Sequence, residues 1–259
     1  MTQKRRLLWL IEYLLSERRD SGSVSLPHSS DEKFQLYRSL VNIRPPQPVT
    51  DEYLKIQDEY LQELSKERGV VRLGDTEYMG NDLYLWQGDI TRLAADAIVN
   101  AANSGMTGCF WPCHNCIDNC IHTYAGIQLR EECSRLMAEQ GHEEPTGQAK
   151  ITGGYNLPAK YILHTVGPIV SGRLKKSQEY ELADCYKSCL ALAAEKGLGS
   201  IAFCCISTGV FGFPQGRAAE IAIGTVKRDK PKGMKVIFNV YRDEDERQYR
   251  KLLSAQSGT

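Results

Sequence analysis

The chain has 259 residues, of which 42% are hydrophobic and 25% charged, the balance of a soluble globular protein with one large or two small domains. Its 32 Lys and Arg equal its 32 Asp and Glu, so the field has no overall sign and attraction to nucleic acid through bulk charge is excluded. No run of about 18 apolar residues occurs, which excludes a membrane-spanning helix, and nine cysteines without a secretory signal imply a reducing, cytoplasmic setting in which disulfides are rare.

Residues 4–20 open on KRR before LLWLIEYLL, faintly like a secretory leader. Glu12 interrupts the apolar stretch, however, and no small-residue cleavage site follows. Leu7, Leu10, Ile11 and Leu14 recur at helical spacing, so the segment reads as an amphipathic helix. A polar loop over 21–30, with Gly22 and Pro27, leads to a second helix through residue 43, capped by Ser30 or Asp31. Pro45, Pro46 and Pro48 stop it. Thr50 caps a third helix without completing a capping box, because Tyr53 holds the position where Glu or Gln would close it. Gly69 ends that helix. Residues 1–68 thus form a helical extension whose apolar stripes pack on a core, and residues 69–259 form the main domain.

From Val70 the period changes. Residues 70–73 and 83–86 read as strands joined by a turn rich in Gly, Asp and Asn, and 97–99 as a buried strand. Residues 116–140 read as one helix, with Ile117, Ile121, Ala125, Leu129, Cys133 and Leu136 inward and Gly141 at its end. Strands over 146–155 and 161–166 follow, the second with His164 inside it as a core residue. A helix over 178–197, a strand over 200–206, a helix from Pro214 to about 227, a strand over 235–240 and a helix over 243–253 complete an α/β sheet covered on both faces.

The densest chemistry lies in residues 88–122. Asp89 sits just past a strand, and Asn100 and Asn103 end another. Then come Cys109, Cys113, His114, Cys116, Cys120 and His122, with Asp118 among them. Zinc takes thiolates and imidazoles, and its catalytic sites use three protein ligands and an open fourth position. Cys109, His114 and Cys116 offer three such ligands in one short loop, although Cys113 and Cys116 are also a plausible pair. Cys120 and Cys133 fall within the helix and read as core or surface thiols. A second feature is the loop Ser207-Thr-Gly-Val-Phe-Gly-Phe213 between a strand and a helix. Backbone N–H groups and a helix N-terminus there suit a phosphate, with Gly209 and Gly212 permitting close approach. The loop lacks both the Walker Gly-Lys-Ser/Thr and G-x-G-x-x-G, and alone it reads equally well as a plain turn. With GDI at another strand end, it implies a ligand crossing the carboxyl edge of the sheet.

Four stretches in order, GDITRLAADAIVNAAN, IHTYAGIQLREEC, TGQAKITGGYNLPAKYILHTVGP and ISTGVFGFP, resemble the macrodomain family over roughly residues 83–240. The resemblance implies a three-layer α/β/α fold with a mixed central sheet, a cleft for ADP-ribose and, in one large class, hydrolysis of ADP-ribose from proteins. Where that class has a run of glycines before an Asp-x-Cys-Ile-His helix start, this chain has GCFWPCHNC. That is similar to the zinc-dependent class of bacteria and some fungi, which also carries a helical N-terminal segment. Its C-F-x-P-x-H-x-C pattern places zinc on Cys109, His114 and Cys116 and leaves Cys113 at a variable position.

By the same resemblance Asp89 accepts from the adenine amino group, supported by the Ile90 backbone N–H. Asn103 binds the ribose at the scissile bond, and Asn100 holds its own turn. Cys116 and Ile117 are also implied to contact ADP-ribose, and Asp118 acts with Asn103 in catalysis, although a first-turn acid is also placed to cap its helix. Ser207, Thr208, Gly209, Val210 and Phe211 cradle the diphosphate, and Phe211 or Phe213 lies against the distal ribose or packs in the core. The implied reaction releases ADP-ribose from ester-linked, mono-ADP-ribosylated acidic side chains, with zinc either activating water or binding the ribose. Rival readings are a non-catalytic reader with a four-ligand structural zinc, and a hydrolase of O-acetyl-ADP-ribose. Members of the class are often encoded beside a sirtuin-like ADP-ribosyltransferase and a lipoyl-carrier protein, which makes a modified lipoyl-carrier protein one candidate substrate.

Overall fold

Residues 1–18 and 25–254 are described by the structure, a computed structural model. The polar loop expected over 21–30, with Gly22, and the end of the first expected helix fall partly outside the described residues. The chain begins with α1 (Gln3–Ser16), α2 (Ser30–Ile43) and α3 (Asp51–Arg68). Leu7, Leu10, Ile11 and Leu14 of α1 meet Tyr37, Leu40 and Val41 of α2 and Tyr53, Tyr60 and Leu61 of α3 in one apolar cluster, which also takes in Ile127. The cap of α2 is Ser29, one residue before the expected pair. Its Oγ accepts from the Glu32 N–H at 3.1 Å and the Glu32 carboxylate accepts from the Ser29 N–H at 3.2 Å, so a capping box closes here. Thr50 caps α3 at the Tyr53 N–H, 3.2 Å away.

Seven strands form one sheet in the order β1-β2-β7-β6-β3-β5-β4: β1 (Glu77–Tyr78), β2 (Leu83–Gln87), β3 (Ala97–Ala102), β4 (Ala149–Gly153), β5 (Tyr161–Val166), β6 (Ser200–Phe203) and β7 (Lys235–Val240). The five inner strands run parallel, and β1 and β4 join antiparallel at the two edges. The flanking helices are α4 (Ile117–Ala125), α5 (Ile127–Gln140), α6 (Lys176–Glu195), α7 (Gln215–Asp229) and α8 (Asp243–Ser254). Ile98, Val99, Ile162, Leu163, Ile201, Val236 and Phe238 of the inner strands are buried in a shared core, as expected of parallel strands covered on both faces. No helix among the described residues is long and apolar enough to cross a membrane.

Two expectations are corrected. Residues 70–73 form no strand: Val71 makes an isolated bridge to Leu93, and a short 3-10 turn starts at Leu73. The expected helix over 116–140 is two helices, broken at Gly126. Its φ of +100° lies outside helical space, and a Cβ there would stand 2.7 Å from the side chains of Gln57 and Gln128. Gln57 of α3 accepts from the Ile127 N–H at 3.1 Å, satisfying a donor left open at the new helix start. The break is therefore where α3 docks on α5.

In the parallel register Asn100 of β3 stands opposite His164 of β5. The His164 ring is fully buried between Asn100 Nδ2 at 3.1 Å and Thr152 Oγ1 at 2.8 Å, and burial holds its pKa down to about 3. The unfolded chain takes up this proton near pH 6.5, so the stability gained by keeping the ring neutral is complete above that pH and is lost as the pH falls toward 3. Acidification from pH 7 to pH 5 is expected to remove about 2 kcal/mol through this one group. The check is a lower denaturant midpoint at pH 5 while the NMR shifts of the His164 ring stay those of neutral imidazole.

Candidate active site

The carboxyl ends of the parallel strands meet at one edge. β2 runs out to Asp89, β3 to Asn103, β5 to Gly167 and β6 to the loop that reaches Phe213. Ligands of open α/β sheets sit outside this edge.

Asp118 is the second residue of α4 and only 4% exposed. It does not cap its own helix. Cys116 does, its Sγ accepting from the Asn119 N–H at 3.4 Å. The Asp118 carboxylate turns inward instead, Oδ1 accepting from Asn100 Nδ2 at 2.8 Å and Oδ2 from Asn103 Nδ2 at 3.3 Å. Asn100 thus serves the acid rather than its own turn. Asn103 also holds the turn, accepting from the Gly105 N–H at 3.0 Å and donating to the Gly108 carbonyl at 3.1 Å. Burial pushes the Asp118 carboxyl up to about 6, opposed by the Asn100 hydrogen bond and the Arg130 charge. One helical turn on, His122 brings Nε2 to 3.6 Å from Asp118 Oδ1. Burial, together with His164 and Arg130 nearby, holds the His122 pKa well below its usual value. The spacing of four residues on one helix face is the signal that marks His122 as a neighbour of the acid.

Cys109 Sγ and His114 Nδ1 are 3.6 Å apart, and with Cys116 Sγ the three atoms all lie within 4.8 Å of one another. Two donors on one tetrahedral zinc stand about 3.5 Å apart, so both the spacing and the chemistry of this half-exposed set fit zinc. Cys113 is engaged elsewhere: its thiol donates to the Gln35 carbonyl of α2 at 3.3 Å. Cys120 Sγ lies 3.5 Å from Arg38 Nη2. Burial raises the Cys116 thiol to about 12, with Cys109 adding to the rise against the Asn119 hydrogen bond. Trp111, 72% exposed, stands on the rim of this loop. A second group, His122, Cys133 and His164, is fully buried. Both His164 nitrogens there face Asn100 and Thr152, which makes the group a core polar network.

The loop after β6 departs from ordinary backbone at Ser207, whose φ is +65°. Non-glycine residues in that region are uncommon and cluster at ligand sites. The Ser207 Oγ is buried without a hydrogen-bond partner. Among the described residues, none accepts a hydrogen bond from the backbone N–H groups of Gly209, Val210 or Phe211, which suits an anion cradle. Thr208 is tied back to the Cys205 carbonyl through its hydroxyl at 2.9 Å. Phe213 packs in the core, so of the two rings only Phe211 stays half-exposed. At the far end, Asp89 caps the turn that follows it, Oδ1 accepting from the Thr91 N–H at 3.0 Å and the Thr91 hydroxyl at 2.7 Å. Its Oδ2 pairs with Arg68 of α3, whose guanidinium lies 3.7 Å over the Tyr124 ring. Ile90 is buried behind it. Arg68 carries no sequence signal for this place, because its partner lies beyond the end of its helix.

A family model described as Macro domain matches residues 99–222. The protein-ADP-ribose hydrolase of Treponema medium is 58% identical, over 98% of this chain and 100% of that protein. The protein-ADP-ribose hydrolase of Staphylococcus aureus (strain MRSA252) is 49% identical, over 96% of this chain and 95% of that one. Among solved structures, the Trypanosoma brucei macrodomain in complex with ADP-ribose aligns with a TM-score of 0.64 at 28% identity, covering 88% of this chain and 97% of that one.

A Cβ on Gly167 would stand 2.1 Å from Ser207 Oγ and 2.8 Å from Ile206, so Gly167→Ala must displace the strained turn. The variant is expected to bind ADP-ribose about ten-fold more weakly, or about 1.4 kcal/mol, by calorimetry, with an unchanged circular dichroism spectrum.

Proposed function

This chain belongs to the Macro domain family, and we propose that it releases ADP-ribose from acidic side chains of mono-ADP-ribosylated proteins, using a zinc ion on Cys109, His114 and Cys116. It is a protein-ADP-ribose hydrolase like its nearly full-length relatives; the zinc and the ester linkage are the finer part of the reading. One observation carries that part. Three zinc-type donors gather within 4.8 Å at the start of the same helix whose second residue is Asp118. A reader with a saturated structural zinc would need a fourth protein ligand such as Cys113 or Cys120, and both thiols are engaged with α2.

Zinc held there would supply Lewis-acid polarisation, of either a water or an oxygen of the distal ribose. The chain's own residues do the rest. Asp89 and the Ile90 N–H receive the adenine amino group. Ser207 to Phe211 and the start of α7 receive the diphosphate on backbone N–H groups. Asn103 positions the distal ribose, with Cys116 and Ile117 alongside. Asp118, held by Asn100, orients the ribose hydroxyl or carries a proton while water replaces the ester at the anomeric carbon. The products are ADP-ribose and the restored carboxylate. Residues 69–259 form the catalytic domain and 1–68 a helical extension. The reducing cytoplasm keeps the thiol ligands available, and the GCFWPCHNC resemblance supports a lipoyl-carrier protein, modified by a sirtuin-like transferase, as the substrate.

On a glutamate-linked mono-ADP-ribosyl protein, Asp118→Asn is expected to lower kcat by about 100-fold or more while free ADP-ribose still binds. An arginine-linked substrate is left intact by the wild type. Unchanged kcat in the variant would remove Asp118 from the chemistry, and release from arginine but not glutamate would overturn the linkage.

A further inference from the structure

We infer that helix α2 is part of the metal centre, with Arg38 and Asn42 as positioning residues that hold the loop over 107–116 in its metal-binding shape. The inference rests on the zinc reading above and assigns a task to the helical extension.

Arg38 is 7% exposed. Its Nη2 donates to the His114 carbonyl at 2.7 Å, to Asn119 Oδ1 at 3.0 Å and toward Cys120 Sγ at 3.5 Å, while its Nε is buried without a partner. A buried guanidinium ordinarily faces a carboxylate. This one faces a carbonyl, an amide and a thiol, all belonging to the loop and the first turns of α4. Asn119 passes the grip on: its Nδ2 donates to the Trp111 carbonyl at 2.9 Å and the Cys109 carbonyl at 3.3 Å. The backbone at two of the three ligands, Cys109 and His114, is therefore tied to one side chain of α2 directly or through a single amide.

Asn42 is 1% exposed and works on the residue between those ligands. Its Oδ1 accepts from the Cys113 N–H at 2.9 Å, and its Nδ2 donates to Thr123 Oγ1 at 3.0 Å. Cys113 has a φ of +53°, a left-handed conformation that an L residue adopts at a cost. It comes immediately before His114, whose ring returns to 3.6 Å from Cys109 Sγ. Arg130 closes the clasp from α5. Its Nη1 donates to the carbonyls of Val41, Asn42 and Arg44 at 2.9, 2.8 and 2.6 Å, its Nε donates to the Thr107 carbonyl at 2.8 Å, and its guanidinium lies 4.3 Å over the Phe110 ring. The last turn of α2 thus finds partners for its open carbonyls in the group that also fixes the start of the loop. A loop with no helix or strand of its own acquires a fixed backbone from α2, and a ligand set held in place before metal arrives binds it more tightly.

The test measures zinc itself. In the full chain, the zinc Kd is read by competition with a chromophoric chelator for wild type, Arg38→Met, Arg38→Lys and Asn42→Ala, with thermal melts to verify folding. Arg38→Met and Asn42→Ala are expected to bind zinc about 10- to 100-fold more weakly. Arg38→Lys retains a donor for the His114 carbonyl and loses less. Arg6→Ala breaks the 2.8 Å pair between Arg6 of α1 and Glu59 of α3, which lies away from the loop, and leaves the zinc Kd unchanged. Adding Cys113→Gly to Asn42→Ala restores part of the affinity, because glycine takes the left-handed conformation freely. Folded Arg38→Met and Asn42→Ala proteins with wild-type zinc affinity overturn the inference, as does an equal loss in Arg6→Ala. A wild-type chain that binds no zinc overturns the underlying zinc reading, and that result is seen before any variant is made.

Discussion

Burying a carboxylate is costly unless hydrogen bonds replace the water it gives up, and Asp118 is buried with two asparagine amides supplying them. Both amides come from the end of one strand. Asn100 reaches the acid from inside β3, and Asn103 reaches it from the turn beyond. This arrangement fixes where α4 can begin, because Asp118 must be its second residue. The N-cap therefore falls on Cys116, whose sulfur closes the helix start and completes the set of donors with Cys109 and His114. The parallel register adds a further layer, since His164 lies opposite Asn100 and shares its amide. Acid, metal-type ligands and core histidine are held by one strand end.

Much of this was legible in the residues. The strands 83–86, 97–99, 161–166 and 235–240 appear at the expected places because short apolar runs bounded by turns mark buried strands. Thr50 and Gly69 bound α3 as their capping chemistry requires. Other features were not legible, each for a physical reason. Gly126 sits inside a good apolar repeat, and only its packing against Gln57 and Gln128 shows that the helix must break there. Residues 70–73 have strand composition, but only Val71 finds a bridging partner, Leu93. Ser29, Ser30 and Asp31 follow one another and all suit the N-cap, so residue type alone does not single out Ser29. The strand end places Asn100 to hold its own turn, while its partner Asp118 lies 18 residues on.

The extension is the part the sequence described least. Its amphipathic stripes announce helices, but nothing in them announces which side chains cross to the sheet-bearing part of the chain. Those side chains are polar, and their partners are 21 to 98 positions away. Gln57 meets α5, Asp58 accepts from Gln128 and Asn156 at 2.8 and 2.7 Å, and Gln62 Nε2 donates to Asn156 Oδ1 at 3.1 Å. Arg38 meets the cysteine-rich loop while Arg68 reaches Asp89. Helices α2 and α3 therefore touch opposite ends of the cleft, one beside the candidate metal ligands and one beside the acid assigned to adenine. Helices that add hydrogen bonds at the ends of the strands to an apolar contact have a different job from helices that only cover apolar surface.

The claim on which the account turns is that hydrolysis depends on zinc held by Cys109, His114 and Cys116. The most direct measurement is ADP-ribose release from a glutamate-linked ADP-ribosyl protein by the purified chain, before and after a strong zinc chelator, with elemental analysis of each sample. The account predicts one zinc per chain, loss of release on chelation and its return when zinc is added back. Full release by a chain shown to hold no metal would contradict it.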